Sequence, residues 1–342
     1  MSLAQCRENW GNHQIVTSDP SIIKVERASY IPIALDQGWG IYNRSGHVIY
    51  DSVDFRGSER GTNGQVVEAK INPDHITVEA PDFDYIYVGR INLHYGHFLI
   101  NTLPRFWALQ KLRHHRAKVL CHGHGTPSEW FRFPFFAEIC RTLNLQPDDF
   151  VVFGTPINLR NVTIPSTSFE EQYQAHQMYR DFCRYIGRHV TDNAAGIRTT
   201  DTPAYLSKAK LTIGVGRIKN EIDLLPILSK AGIDIFYPEQ MSFADQLRLF
   251  CSRSIILGTV GSYFHTNILA TTPSRIFGIN PTPHVNSNYI MIDSLTQIES
   301  LYYYDTEMQT ASEDANSGFL AERNFGNPRE IAEQYLQIVN SI

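Results

Sequence analysis

Residues 254–267 read Ser-Ile-Ile-Leu-Gly-Thr-Val-Gly-Ser-Tyr-Phe-His-Thr-Asn. The apolar run at 254–257 predicts a short buried strand. Gly258 and Gly261 allow a close backbone approach, and Ser262 carries an oxygen suited to capping the helical turn expected over 262–270. A strand, a Gly-rich turn and a helix start form one half of a βαβ unit. The rhythm repeats on both sides: strands are expected at 204–207, 234–237 and 275–279, and helices at 220–230 and 242–252. Such alternation predicts a parallel, doubly wound sheet.

Further toward the N-terminus the pattern is less regular. Residues 190–202 are small and polar and read as a linker. The segment 97–112 has apolar residues at 98, 99, 103, 106, 107 and 109, a helical spacing despite Pro104. Strands are expected at 118–121, 150–153 and 162–164, and helices at 129–143 and 167–188. Ser168 three residues before Glu171 resembles a capping box for the last of these. The first 90 residues look β-rich, with short runs at 29–35, 40–42, 47–50 and 85–88. Residues 305–327 read as a polar loop, and Pro328 opens a closing helix over 328–342.

The chain has 342 residues and a formal net charge of -5. That length suggests two domains and a core that needs no staples. Mild acidity argues against a nucleic-acid binder. The opening MSLAQCRENWGNHQ has no apolar core, and no apolar run approaches membrane-spanning length, so a cytoplasmic protein is expected. Cys6, Cys121, Cys140, Cys183 and Cys251 are scattered and read as buried thiols of a reducing compartment. The histidines His114, His115, His122 and His124 lack metal-ligand spacing, and no metal site is expected.

Three stretches carry candidate chemistry. Past the strand ending at Ser207 come Lys208, Lys210, Gly214, Gly216, Arg217, Asn220 and Glu221. Cations and bare backbone N–H groups at a strand's C-terminal end suit a diphosphate. The turn at Gly261 and Ser262 would aim a helix start at an anion, with His265 one turn in and Thr266 beside it. Glu239, just after a strand, is placed to contact a ribose. In the third stretch, His97, Asn101 and Arg105 recur at i, i+4 and i+8 and would share a helix flank. A histidine there suits a general base. Taken one at a time, these stretches also read as an exposed basic loop, a βα turn and a core helix.

Their order is more telling. Tyr-Gly-His-Phe-Leu-x-x-x-Leu-Pro-Arg (95–105) precedes Tyr-Leu-Ser-Lys-x-Lys-Leu (205–211) and Asn-Glu-x-x-Leu-Leu-Pro (220–226). Tyr-Pro-Glu-x-x-Ser-Phe-x-x-Gln (237–246) and Gly-Ser-x-x-His-Thr (261–266) follow. Together they resemble glycosyltransferase family 61, a group of capsular polysaccharide biosynthesis-type proteins, over about residues 85–280. The resemblance implies an α/β, GT-B-like fold: two Rossmann-type doubly wound domains facing a cleft, with a β-rich N-terminal extension. Residues 1–190 would be the acceptor side and 203–327 the nucleotide-sugar domain, with 328–342 crossing back to the N-terminal domain.

It further implies inverting, metal-independent transfer from a nucleotide sugar to a glycan or lipid-linked glycan acceptor, with no other cofactor. Peripheral membrane contact is left open. His97 would be the base, with Asn101 and Arg105 beside it. Ser207, Lys208, Lys210, Arg217, Asn220, Glu221, Glu239, Gly261, Ser262, His265 and Thr266 would hold the donor. Relatives usually carry an acidic residue where this chain has Asn101, and an amide cannot take a proton. The alternatives are a catalytically degenerate nucleotide- or glycan-binding protein of this fold, or a nucleotide-sugar epimerase.

Overall fold

The computed structural model describes residues 2–33, 38–62, 64–192, 200–211, 217–310 and 322–341. The chain is mixed α/β and divides into two compact units. One comprises Gly11–Phe182; the other joins Met1–Trp10 to Cys183–Ile342. The division falls inside the helix Met178–Val190 rather than at 190–202, of which 193–199 lie outside the described residues.

In the unit 11–182, a six-stranded sheet is built on Asp84–Arg90. Ala117–His122 and then Phe150–Val151 lie parallel on one side of that strand, and Ile157–Pro165 lies parallel on the other. Ile22–Ile31 and Gly40–Tyr42 complete the sheet antiparallel. Tyr30, Tyr85, Tyr87, Leu120, Leu159 and Val162 form its core. Strand order therefore reverses between Asp84–Arg90 and Ile157–Pro165, and ligands of α/β sheets gather beyond the C-terminal strand ends at such a reversal.

The expected helix over 97–112 is not regular. It runs as Tyr95–His97, a π-helical turn Phe98–Thr102, a 3-10 stretch Leu103–Ala108 and Leu109–Leu112. Pro104 supplies no amide hydrogen for a continuous ladder. The helix expected over 167–188 is also corrected. Phe169–Glu170 and Gln174–His176 pair as an antiparallel hairpin, and the helix starts only at Met178. Ser168 caps nothing; its hydroxyl donates to the Pro104 carbonyl at 2.7 Å.

In the other unit the strands from Ala204 to Asp305 are parallel, as the alternation predicts. Ala204–Leu206 lies between Asp234–Phe236 and Ile255–Thr259; Arg275–Ile279 and Leu301–Asp305 follow, all parallel. Leu3–Gln5 adds antiparallel to Leu301–Asp305, so the first residues belong here and not to the unit 11–182. Tyr205, Leu257, Phe277 and Tyr303 pack with Leu224 and Leu228 and with Ile331, Ala332 and Tyr335 of the helix Pro328–Asn340. The Tyr335 hydroxyl donates to the Phe277 carbonyl and accepts the Gly258 N–H at 3.2 Å. These contacts of the helix lie within its own unit. Four of the five cysteines are buried, and Cys6 is half-buried.

Candidate functional site

His97 sits just beyond the C-terminal end of Asp84–Arg90, half-buried. It lines a polar cavity of about 130 Å³ with Asp54, Arg56, Arg90, Asn92 and Asn101. Its Nδ1 lies 2.9 Å from Asn101 Oδ1, and Asn101 Nδ2 donates to Glu171 Oε2 at 3.1 Å. Arg56 Nη2 is 3.3 Å from the other oxygen of Glu171. The i, i+4 part of the expected flank thus holds: His97 and Asn101 touch.

Arg105 does not join them. Between His97 and Arg105 the chain changes from π to 3-10 winding, and the two have different residues per turn. Its side chain is 1% exposed. Nη1 donates to the carbonyls of Asp51 and Pro165 at 2.6 and 2.7 Å, and Nη2 to that of Val53 at 2.8 Å. Asp54 Oδ1 is 3.4 Å away. Burial pushes the Asp54 carboxyl up, while Arg105 and Arg90 pull it back. Gly89 makes room, at φ +82°, since a Cβ there would lie 3.1 Å from Arg105 Cδ. The role expected of Arg105 beside the base is replaced by that of a buried brace.

In the other unit the strand order reverses between Ala204–Leu206 and Ile255–Thr259. Lys208 follows the first strand, and Val260 and Gly261 follow the second. Lys208 is 9% exposed, and its ammonium donates to the Val260 carbonyl at 2.6 Å. A Cβ at Gly261 would stand 2.6 Å from Lys208 Cε and 2.9 Å from Tyr263 Cε1, so a side chain there would shift the lysine. Burial lowers the Lys208 ammonium to about 8, partly offset by the Glu221 charge. Lys210 is exposed, with its ammonium 3.7 Å from the centre of the Tyr237 ring. Ser262 is half-buried at the start of the 3-10 segment Ser262–Leu269, whose N-cap is Gly261 rather than Ser262. Glu239 is exposed on the turn Pro238–Gln240.

The other expected donor residues are packed or bonded within the fold. Glu221 is wholly buried, accepting from Tyr205 Oη at 2.9 Å and from the Lys208 N–H at 3.0 Å. Ser207, also buried, accepts the Ala209 N–H at 3.1 Å. Asn220 binds the Phe325 backbone through both ends of its amide, at 3.0 and 2.8 Å. Arg217 pairs with Glu322 at 2.6 Å and donates to the Leu211 carbonyl at 2.7 Å. His265 is 6% exposed, its ring 4.9 Å from that of Tyr289, and Thr266 is fully buried. Gly214 and Gly216 lie outside the described residues.

A larger recess of about 410 Å³ lies by Cys6, Asp293 and Tyr302, at the N-terminal end of Leu301–Asp305. It contains none of the expected site residues. His122 is buried, bonded to Tyr87 Oη at 2.9 Å and the Ile31 carbonyl at 2.8 Å, and burial holds it down to about 3. Among the described residues, no group of three or more His, Cys, Asp or Glu is placed to hold a metal ion.

Residues 95–277 match the family model of Glycosyltransferase 61, more than half of the chain. The chain belongs to glycosyltransferase family 61. The matched span opens on the His97 motif and ends beyond Ser262, so it holds both strands of the second reversal and Ile157–Pro165 of the first. Membership implies a sugar donor and a glycan acceptor. No curated protein matches the chain in sequence. Among the described residues, no helix of this family 61 member is long and apolar enough to cross a membrane. The residue that sequence reasoning missed is Glu171, mistaken for a helix cap. Phe169-Glu170-Glu171-Gln172-Tyr173 shows no strand alternation, so it gives no local sign of the hairpin.

Proposed function

We propose that the protein is an inverting, metal-independent glycosyltransferase of GT-B arrangement, acting on a nucleotide-sugar donor and a glycan acceptor. The acceptor hydroxyl gives its proton to His97 Nε2. Its oxygen forms a bond to the anomeric carbon as the bond from that carbon to the diphosphate breaks. The diphosphate leaves with the electron pair, and the configuration inverts. Lys208 and Lys210 take up the negative charge that grows on the leaving group, near the backbone at Gly261 and Ser262. Glu239, exposed beyond Asp234–Phe236, contacts the nucleoside.

The observation that carries this reading is the His97–Asn101 hydrogen bond at the strand-order reversal. It supports His97 as a base by giving the ring a fixed direction, as enzymes that move protons require. The pairing of Lys208 with Gly261 supports the donor assignment, because it places a charge where α/β sheets bind anions.

The test begins with binding. A nucleoside diphosphate from a panel of UDP, GDP, CDP and ADP raises thermal stability, by about 2.7 kcal/mol at a hundredfold excess over Kd. Lys208→Ala removes that shift. His97→Ala keeps the shift but lowers transfer by about 10²–10⁴-fold. No shift with any member of the panel overturns the donor assignment. Near-normal transfer by His97→Ala overturns the base.

A further inference from the structure

We propose that Glu171 is a positioning residue: through the amide of Asn101 it holds His97 as the Nδ1–H tautomer and so makes Nε2 the basic nitrogen. What Nε2 then does rests on the glycosyltransfer reading; the geometry does not.

The argument is one of hydrogen-bond directions. An ionised carboxylate only accepts, whereas an amide has one accepting and one donating end. Glu171 Oε2, 3.1 Å from Asn101 Nδ2, must receive an N–H from it. The amide oxygen is then turned to His97, where it can only accept. His97 Nδ1, 2.9 Å away, must therefore carry the proton, and the lone pair of the neutral ring is left on Nε2. An isolated His–Asn pair lacks this direction, since a rotated amide would offer its NH₂ and reverse the tautomer. The carboxylate removes the ambiguity.

Glu171 is itself held. It is 3% exposed, and its backbone carbonyl accepts the Gly57 N–H at 2.9 Å. Its Oε1 lies 3.3 Å from Arg56 and 3.4 Å from Gln172 Nε2. The charged and titratable groups around His97 are His94, with ring centres 5.3 Å apart, and Asp54, Arg56 and Arg90 of the cavity. Burial and the His97 charge lower His94. Because Arg56 already offsets the Glu171 charge, the carboxylate acts on His97 chiefly through orientation.

The experiment is two-bond ¹H–¹⁵N correlation NMR on protein labelled at histidine, with His97 assigned by the signal lost in His97→Gln. It needs neither donor nor acceptor. In the wild type, His97 shows the Nδ1–H tautomer. In Glu171→Leu it becomes a mixture, a loss of preference on the order of tenfold for one hydrogen bond. Asn101→Asp alone sets two carboxylates against each other. Asn101→Asp with Glu171→Gln exchanges carboxylate and amide along the same line and restores the Nδ1–H signal. An Nε2–H tautomer in the wild type overturns the proposal. So does a His97 signal that Glu171→Leu leaves unchanged. Should Glu171→Leu fail to fold, the swapped pair decides: a mixed tautomer there overturns the proposal equally. Loss of nucleotide binding elsewhere moves none of these signals, so the two readings fail separately.

Discussion

The two sheets meet the same topological requirement with opposite chemistry. Beyond the reversal in the unit 11–182, polar side chains join end to end, from His97 through Asn101 and Glu171 to Arg56, beside an open cavity. Beyond the reversal in the other unit, polar side chains turn inward. Tyr205 and the Lys208 backbone converge on Glu221, the Lys208 ammonium lies against the Val260 carbonyl, and Lys210 stays exposed. A group that moves a proton needs a direction, and a chain of hydrogen bonds supplies one. On the proposed reading, a group that holds a diphosphate needs a charge at a fixed place, and the packing around Lys208 would supply one.

The contrast breaks most severely at Arg105. If the first site is direction built on a rigid floor, removing that floor should undo the whole unit. Arg105→Ala leaves the carbonyls of Asp51, Val53 and Pro165 without their donor and Asp54 without its nearest cation. Breaking a buried pair of this kind costs about 3–5 kcal/mol. Urea denaturation measures it, and a loss below about 1 kcal/mol would show that the brace is dispensable.

The same contrast explains what was legible in the sequence. The parallel strands at 204–206, 234–236, 255–259 and 275–279 could be read because each is a short apolar run closed by its own turn residues. His97 and Asn101 could be read as neighbours because their spacing is local. Glu171 could not, because its partners Asn101 and Arg56 lie far upstream and Ser168-x-x-Glu171 imitates a cap. The place of Leu3–Gln5 could not either, since its ladder partner Leu301–Asp305 lies some three hundred residues on. The inward turn of Ser207, Asn220 and Glu221 depends on what they meet after folding, and residue type alone cannot separate a ligand contact from an internal bond.

A second prediction sharpens the charge side. Burial lowers Lys208 to about 8, so charging it in the folded state is costly below that pH and the cost is relieved as pH rises toward its unfolded value near 10.4. Anion binding runs the other way, since a diphosphate needs the charged form. Affinity for the best-binding nucleoside diphosphate of the panel should fall about twofold from pH 7 to 8. It should then fall by up to about tenfold per pH unit. Lys208→Arg stays charged and should flatten that slope if it still binds. Calorimetric titration at pH 7, 8 and 9 makes the comparison. A wild-type affinity that is level to pH 9 would remove Lys208 from the phosphate.

The smallest effect is expected at Arg217, which marks where the charge clamp ends. By residue type it belongs with Lys208 and Lys210. In the fold it pairs with Glu322 at 2.6 Å, with both side chains about a third exposed, and Glu322 also holds Lys219 at 2.7 Å. Exposed pairs of this kind contribute about 1 kcal/mol or less, because water screens them. Arg217→Ala should therefore lower stability by no more than that. It should also leave nucleotide affinity within a few-fold of wild type, while Lys208→Ala abolishes it. The converse outcome has a clear structural meaning. A loss of affinity as deep as that of Lys208→Ala would require Arg217 to leave Glu322 when nucleotide binds. Glu322→Gln should then tighten binding by releasing the guanidinium, which a purely structural ion pair would not do.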